Sequence, residues 1–378
     1  MYRLLFNLAL SRLEPERAHA LARRSLRLIG ANPPGRAVVR RLAGQVDSRL
    51  EVRALGLTFP SPLGVAAGVD KDATWSEQLG ALGFGFIEVG TVTALPQVGN
   101  LKPRIARVID QRALVNRMGF PNPGADSAAK RLALAPRRCP IGVNVGKSMA
   151  VALEDAAQDY RRSVSRLAPA VDFIVLNVSS PNTPRLREMQ EAEQLSPLVA
   201  AVRAELARVE KPIPLLVKIS PDLEDDQVDA IARLALDLEL DGIVAVNTTV
   251  DRSLLERSEL PFNGGGVSGR PLRPRALEVL RRLYAVVGSE LVLVSVGGIE
   301  GADDIWERIL AGATLVQAYT AFVYEGPGWP GGVNRELARR VSEAGASTLQ
   351  ELIGTGADPT SPVPGAGVSP ARAVPGAT

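Results

Sequence analysis

The chain is short of cysteine and histidine, with one of each at Cys139 and His19, and aromatics make up only 4% of it. Each shortage excludes something. A single thiol cannot form an internal disulfide, so a reducing compartment is the default, and Cys139 reads as a structural thiol just ahead of an apolar run. A lone histidine far upstream of the main body rules out a metal site built on histidines. It also leaves proton transfer in the body to another residue type. With so few rings the core has to be aliphatic. The net charge of +3 over 378 residues is too diffuse to point to nucleic acid, despite a pI of about 9.2.

What the chain does have is a regular alternation. From residue 50 onward apolar runs recur at 62–67, 84–89, 141–145, 173–178, 213–219, 242–246, 291–296 and 315–318. The stretches between them are mostly long enough for helices, and Leu277, Leu280, Leu283 and Val286 keep a helical period. Eight nearly continuous buried strands separated by helices predict a (β/α)8 TIM barrel over 50–345, with a doubly wound sheet as the alternative. Residues 50–57 read as a short hairpin closing the barrel floor. The tail, 354–378, is rich in Pro, Gly, Ala, Ser and Thr with two charges, and it cannot bury enough surface to offset its ordering entropy. Disorder is expected there.

Residues 1–41 differ from the rest. Leu4, Leu5, Phe6, Leu8, Leu10 and Leu13 suggest a short apolar helix. A second helix starts at Pro15, with Ala18, Ala22, Ser25 and Ile29 on one face and Leu21 and Leu28 beside it. Between Ser11 and Arg41 eight arginines stand against two acids, Glu14 and Glu16. The apolar stretch is broken at Asn7 and falls far short of the ~20 residues a spanning helix needs. It also lacks a small-residue cleavage site behind a long apolar core, so no secretion signal is expected. Two readings stay open. The segment is either a helical cap with its arginines in water, or a basic amphipathic pair lying on an anionic membrane surface.

In a parallel barrel the chemistry sits just after each strand. The fourth run ends in Ser179-Ser180-Pro181-Asn182-Thr183, which sets a hydroxyl between the amides of Asn177 and Asn182. Small and polar residues follow the other runs: Gly68 and Lys71 after the first, Thr91 after the second, Asn144 in the third, Asn247 and Thr248 after the sixth. Glycines and hydroxyls at Gly298, Tyr319 and Thr320, after the last two runs, suit a phosphate. Lys218 ends a run that otherwise reads as buried, so it needs negative charge beside it unless it reaches solvent. Asn116, Asn144, Asn177, Asn182 and Asn247 together suit the imide and amide edges of a pyrimidine ring, although any one alone reads as a turn residue.

Four motifs then carry a resemblance: Ala66-Ala67-Gly68-Val69-Asp70-Lys71-Asp72, Asn116-Arg117-Met118-Gly119-Phe120, Asn177-Val178-Ser179-Ser180-Pro181-Asn182-Thr183-Pro184 and Gly265-Gly266-Val267-Ser268-Gly269-Arg270-Pro271-Leu272. They resemble the dihydroorotate dehydrogenase family, in its membrane-associated, quinone-using class, and the likeness runs from the first residues to about Phe322. The resemblance implies an FMN enzyme that oxidises (S)-dihydroorotate to orotate in pyrimidine synthesis. Ser180 would be the base that takes the C5 proton as hydride leaves C6. The soluble class has a cysteine there, and Cys139 cannot substitute because it lies at the opposite end of the barrel. The implied substrate contacts are Lys71, Asn116, Arg117, Met118, Gly119, Phe120, Asn177, Asn182, Asn247 and Thr248. Those for FMN are Ala67, Gly68, Val69, Asp70, Lys71, Thr91, Asn144, Asn177, Lys218, Val246, Gly269, Gly298, Tyr319 and Thr320. Val246 departs from the threonine frequent in the family, which leaves a backbone contact but removes a hydroxyl.

The resemblance also gives residues 1–41 a role, as an extension that docks on the membrane and admits the quinone beside His19, Arg107 and Tyr319. It implies peripheral attachment to the cytoplasmic side of the cell membrane, and no nucleic-acid partner. Two rival readings fit the residues less well. A tRNA dihydrouridine synthase would want a loop cysteine and a basic RNA-binding surface. A non-catalytic flavin-binding barrel gives no reason for a serine between two ring-reading asparagines.

Overall fold

The computed structural model of the chain describes residues 2–183, 185–256 and 260–357. Eight parallel strands, β1 (Leu63–Val65), β2 (Phe86–Val92), β3 (Ile141–Val145), β4 (Phe173–Asn177), β5 (Leu215–Ile219), β6 (Gly242–Ala245), β7 (Val292–Val296) and β8 (Leu315–Ala318), form a closed barrel. Each matches one of the eight apolar runs. Pairing of β8 with β1 closes the ring, which a doubly wound sheet would not do. Helices such as Ala156–Leu167, Asp225–Asp237 and Arg273–Val287 cover the outside, burying apolar side chains at helical spacing against the strands.

Alternate side chains along each strand point into the barrel, so its lining changes with height. At the floor, large residues face glycines. Phe86 pairs in register with Gly64, and Phe173 with Gly142. A methyl group on Gly64 would come within 2.4 Å of the Phe86 ring, and one on Gly142 within 2.1 Å of Phe173. The hairpin of Val52–Ala54 and Leu57–Phe59 brings Phe59 edge-on to Phe86 at 5.5 Å. It ends two residues later than the 50–57 expected from sequence, because Leu55 and Gly56, both at positive φ, form its turn.

A second small sheet was not expected. Ile105–Val108 and Ala113–Asn116 form a hairpin between β2 and β3, and Gly266–Gly269, within the glycine-rich motif, adds an antiparallel strand. Ala106, Val108, Ala113, Val115, Val267 and Phe262 give this sheet its own apolar core.

The N-terminal segment forms three helices, α1 (Tyr2–Leu8), α2 (Pro15–Gly30) and α3 (Pro33–Ala43). Glu14 caps α2, accepting from the N–H groups of Glu16 (3.0 Å) and Arg17 (2.8 Å), with Pro15 at the first helical position. α3 went unread because its Pro-Pro-Gly start looks like a breaker. Prolines are tolerated in a first turn, and the Asn32 side chain accepts from the Gly35 N–H at 2.8 Å. Polar ties dock the layer. Arg3 pairs with Glu325 (2.7 Å), Glu16 with Arg104 (2.8 Å) and Arg23 with Asp72 (2.9 Å).

Past residue 345 the chain stays packed. Leu349 and Leu352 are buried, and the N–H groups of Gly354 and Gly356 donate to the carbonyls of Ile309 and Leu310. The rest of the tail expected to be disordered, from 358, lies outside the described residues.

Candidate active site

Above the aromatic floor the inward positions turn polar. Two residues past Phe86 comes Glu88, and two past Gly142 comes Asn144. Glu88 is fully buried. Its carboxylate accepts from Asn144 Nδ2 at 2.6 Å and from the amide of Gln317 on β8. Asn144 Oδ1 in turn accepts from Thr91 Oγ1 (2.5 Å) and from Asn177 Nδ2 (2.9 Å). From outside the barrel the Tyr160 hydroxyl donates to the Asn177 carbonyl at 2.7 Å, and burial pushes its pKa up so that it stays a donor. Every amide in this ladder is oriented by a neighbour, so the polar ends that face upward are preorganised.

Those ends open into a cavity of about 990 Å³ at the C-terminal mouth, the mouth itself included. Of the residues singled out from sequence, Ala67, Gly68, Lys71, Thr91, Asn116, Met118, Gly119, Phe120, Asn177, Ser180, Asn182, Lys218, Val246, Asn247, Thr248 and Tyr319 line it. Ser180 is 4% exposed, and its Oγ accepts from the Asn182 N–H at 3.3 Å. Asn247 Nδ2 donates to Ser179 Oγ at 3.0 Å, and Asn182 Nδ2 to the Asn116 carbonyl at 3.3 Å. Loops from three parts of the chain thus meet around one hydroxyl.

Lys218 is 5% exposed, which rejects the alternative that it reaches solvent at the rim. Burial pushes its ammonium pKa down, and the Glu88 carboxylate pulls it partly back. The cation still has room for an anion on its cavity side.

Other expected residues lie beside or away from this cavity. Asn144 sits beneath it in the ladder. Gly269 adjoins Ser268, a lining residue whose Oγ is 3.0 Å from Thr320 Oγ1. Gly297 lines the cavity, and a Cβ on the neighbouring Gly298 would strike Arg273 Cα at 2.4 Å. Behind these glycines the fully buried Arg308 donates to the Gly297 and Arg273 carbonyls (both 3.0 Å), and burial pushes its pKa down to about 10. Arg117 turns its side chain away, to the Pro103 carbonyl and over the Phe262 ring. The Asp70 carboxylate accepts from the N–H groups of Thr74 (2.9 Å) and Trp75 (3.1 Å), so it orders its own loop.

A second cavity, about 880 Å³, separates α2 from the barrel mouth. Val69, Asp70, Glu16, His19, Arg23 and Arg104 line it, while Lys71, Met118 and Tyr319 line both cavities. The His19 ring stands edge-on to Trp75 at 5.5 Å. Burial, reinforced by Lys71 and Arg23, pushes its pKa down to about 3. Arg107 is not part of that lining. It donates to the Leu13 carbonyl at 2.8 Å and lies 5.9 Å from the Phe6 ring.

Sequence reasoning missed Glu88, Gln317, Tyr160 and Arg308. Glu88 carried one usable signal, an acid inside an otherwise apolar strand.

Barrel and cavity together define an α/β-barrel enzyme with a cavity rich in hydrogen-bonding groups at the strand ends. The model of the dihydroorotate dehydrogenase family matches residues 49–341. A dihydroorotate dehydrogenase (quinone) of Rhodococcus opacus is 51% identical over 360 residues, covering 94% of this chain and 99% of that protein. One from Mycobacterium tuberculosis is 50% identical, covering 91% and 95%. Among solved structures, the DHODH of Eimeria tenella in complex with ferulenol has a TM-score of 0.83 at 35% identity, covering 93% of this chain and 97% of its own. The chain belongs to the dihydroorotate dehydrogenase family.

Proposed function

We propose that this chain oxidises (S)-dihydroorotate to orotate in pyrimidine synthesis, with FMN as its cofactor and a membrane quinone as electron acceptor. The observation that carries the reading is one cavity holding a buried serine hydroxyl, four asparagine amides and a buried, partly compensated lysine, in a chain of this family.

The residues present fit FMN. Lys218 offers a cation that lacks a full counter-charge. Thr91 and Asn177, oriented from below by Asn144, present hydroxyl and amide groups for a heteroaromatic edge, and Gly269, Gly298 and Thr320 leave backbone free at the end of the barrel suited to a phosphate. Bound there, FMN supplies the two-electron acceptor that links the pyrimidine to the quinone.

The chain's own groups do the rest. Lys71 suits the substrate carboxylate, and Asn116, Asn177, Asn182 and Asn247 suit its ring amides. Ser180 Oγ takes the proton from C5. A hydroxyl is a weak base, so as Oγ takes the C5 proton its own proton passes on through a water or a neighbouring threonine to solvent, and the Asn182 N–H aimed at Oγ supports the negative charge left by that loss. Burial of Ser180 keeps bulk water from competing.

The second cavity is the proposed quinone site, with His19 and Tyr319 in its lining, while Arg107, expected beside them, stands outside that lining on the Leu13 carbonyl. Leu4 and Leu8 on α1, and Leu21 and Leu28 on α2, leave apolar faces in solvent, Leu28 at 61% exposure. Arginines 12, 17, 24 and 27, interspersed with them along the chain, are exposed. That combination suits peripheral docking on an anionic membrane on its cytoplasmic side. No helix among the described residues is long and apolar enough to cross a membrane.

The test is a coupled assay of purified protein with dihydroorotate and a quinone, following orotate. Orotate formed in step with quinone reduction is expected. Deleting residues 1–43 should abolish turnover with a vesicle-embedded quinone and spare it with a water-soluble acceptor. Full turnover of the deleted protein on the vesicle quinone would overturn the docking role.

A further inference from the structure

Ser180 and the ring-binding pair Asn247 and Thr248 sit on different loops, after β4 and after β6. Among the described residues no backbone hydrogen bond joins these loops. Besides the bond from Asn247 Nδ2 to Ser179 Oγ, a side chain that is no part of the cavity lining joins them. Arg187, on the short turn Leu186–Gln190, donates from Nε to the Ser179 carbonyl (3.3 Å) and from Nη2 to the Thr248 carbonyl (3.4 Å). Its Nη2 also pairs at 2.8 Å with Asp222, on the loop after β5. Asp222 then reaches the far loop itself, accepting from the Thr249 hydroxyl and from the Val250 N–H (2.9 Å). Gln190, three residues from Arg187, closes the circuit. It accepts from the Ser220 N–H at 2.8 Å and donates to the Arg187 carbonyl at 3.2 Å.

The planar guanidinium fork suits this task because its donors are fixed relative to one another. The carbonyls it grips are one peptide from Ser180 and that of Thr248 itself. Arg187 and Asp222 are both mostly buried, so their mutual charge is weakly screened, and Asp222 neutralises Arg187 locally. The cation therefore serves the loops and leaves substrate attraction to Lys71.

We propose that Arg187 and Asp222 are positioning residues that lock the Ser180 loop to the ring-binding loop and so set the distance between the base and the substrate C5. This rests on the reading of Ser180 as base. Loss of the clamp misplaces the base without removing a ring contact, so it acts on the chemical step.

The test compares Arg187→Met, Arg187→Lys, Asp222→Asn and the Arg187→Met/Asp222→Asn double variant, each as holoprotein with flavin content measured. In Arg187→Met, kcat for dihydroorotate should fall on the order of 10²-fold, the cost of a misplaced reacting group, with KM little changed. Arg187→Lys keeps charge but cannot span all three acceptors, and should fall between. The double variant should be no worse than the worse single one, because the pair acts as a unit. Hydrogen exchange should quicken at 179–190 and 247–250 and stay unchanged in the barrel strands. Wild-type kcat in Arg187→Met, or a loss that only tracks flavin content and unfolding temperature, would overturn the clamp. So would unchanged exchange in both loops. Failure of the wild-type protein to oxidise dihydroorotate would sink the parent reading instead, and the exchange measurement would still decide the clamp.

Discussion

The two ends of the barrel are built from the same strands and do opposite work. At the floor Phe86 and Phe173 interlock with glycines and Phe59 stands edge-on to Phe86, with ring centroids 5.5 and 6.2 Å apart. Two residues higher on the same strands stand Glu88 and Asn144, and above them the cavity with Ser180 and Lys218. The floor is close-packed and gains its stability from burial. The mouth holds a buried acid, a buried lysine and a ladder of amides, none of which an apolar core would need. The fold concentrates its cost where it has a use, which is the usual division between the two faces of such barrels.

Substitutions can break this division or sharpen it. The largest stability effect should come from Phe59→Ala, which opens a hole at the floor. A loss of about 3–5 kcal/mol is expected by denaturant unfolding, while the folded fraction reduces its flavin at the normal rate. A chemical defect in that variant would blur the division. Lys218→Met should do the reverse. If FMN binds as proposed, losing this charge-assisted contact should weaken its binding by about 1.5–3 kcal/mol, read by flavin titration of apoprotein. Thermal unfolding should hardly move, since Asn144 and Gln317 still hold Glu88. The smallest effect tests the helical layer. His19 is held neutral down to about pH 3, whereas in the unfolded chain it titrates near 6.5. Between those values the unfolded state binds the extra proton, so stability falls as pH falls through that window. His19→Gln should flatten this part of the pH–stability curve, measured by thermal unfolding from pH 7.5 to 4.5. An unchanged slope would mean that His19 titrates normally in the folded protein.

The barrel was legible because parallel strands buried on both faces read as unbroken apolar runs, and all eight were found close to their observed limits. The strand-end residues were legible for a related reason, since topology brings every strand's C-terminus to one place. Contacts between distant side chains were not. Nothing near Arg187 in sequence announces the Thr248 carbonyl, and nothing near Gln317 announces Glu88. α3 was hidden by a proline pair that looks like a stop and acts as a start. The hairpin Ile105–Asn116 was hidden because its strands are only four residues long and the first is broken by Arg107, and their apolar face is evident only once Phe262 and Val267 pack on it.

The most direct measurement is anaerobic stopped-flow absorbance of the flavin-loaded protein mixed with dihydroorotate. The wild-type yellow band should bleach within a turnover. In Ser180→Ala the bleaching should slow by about 10²–10⁴-fold, the usual weight of a general base, with orotate still binding. Equal rates in the two proteins would contradict the assignment of Ser180. No bleaching in the wild type would contradict the assigned reaction itself.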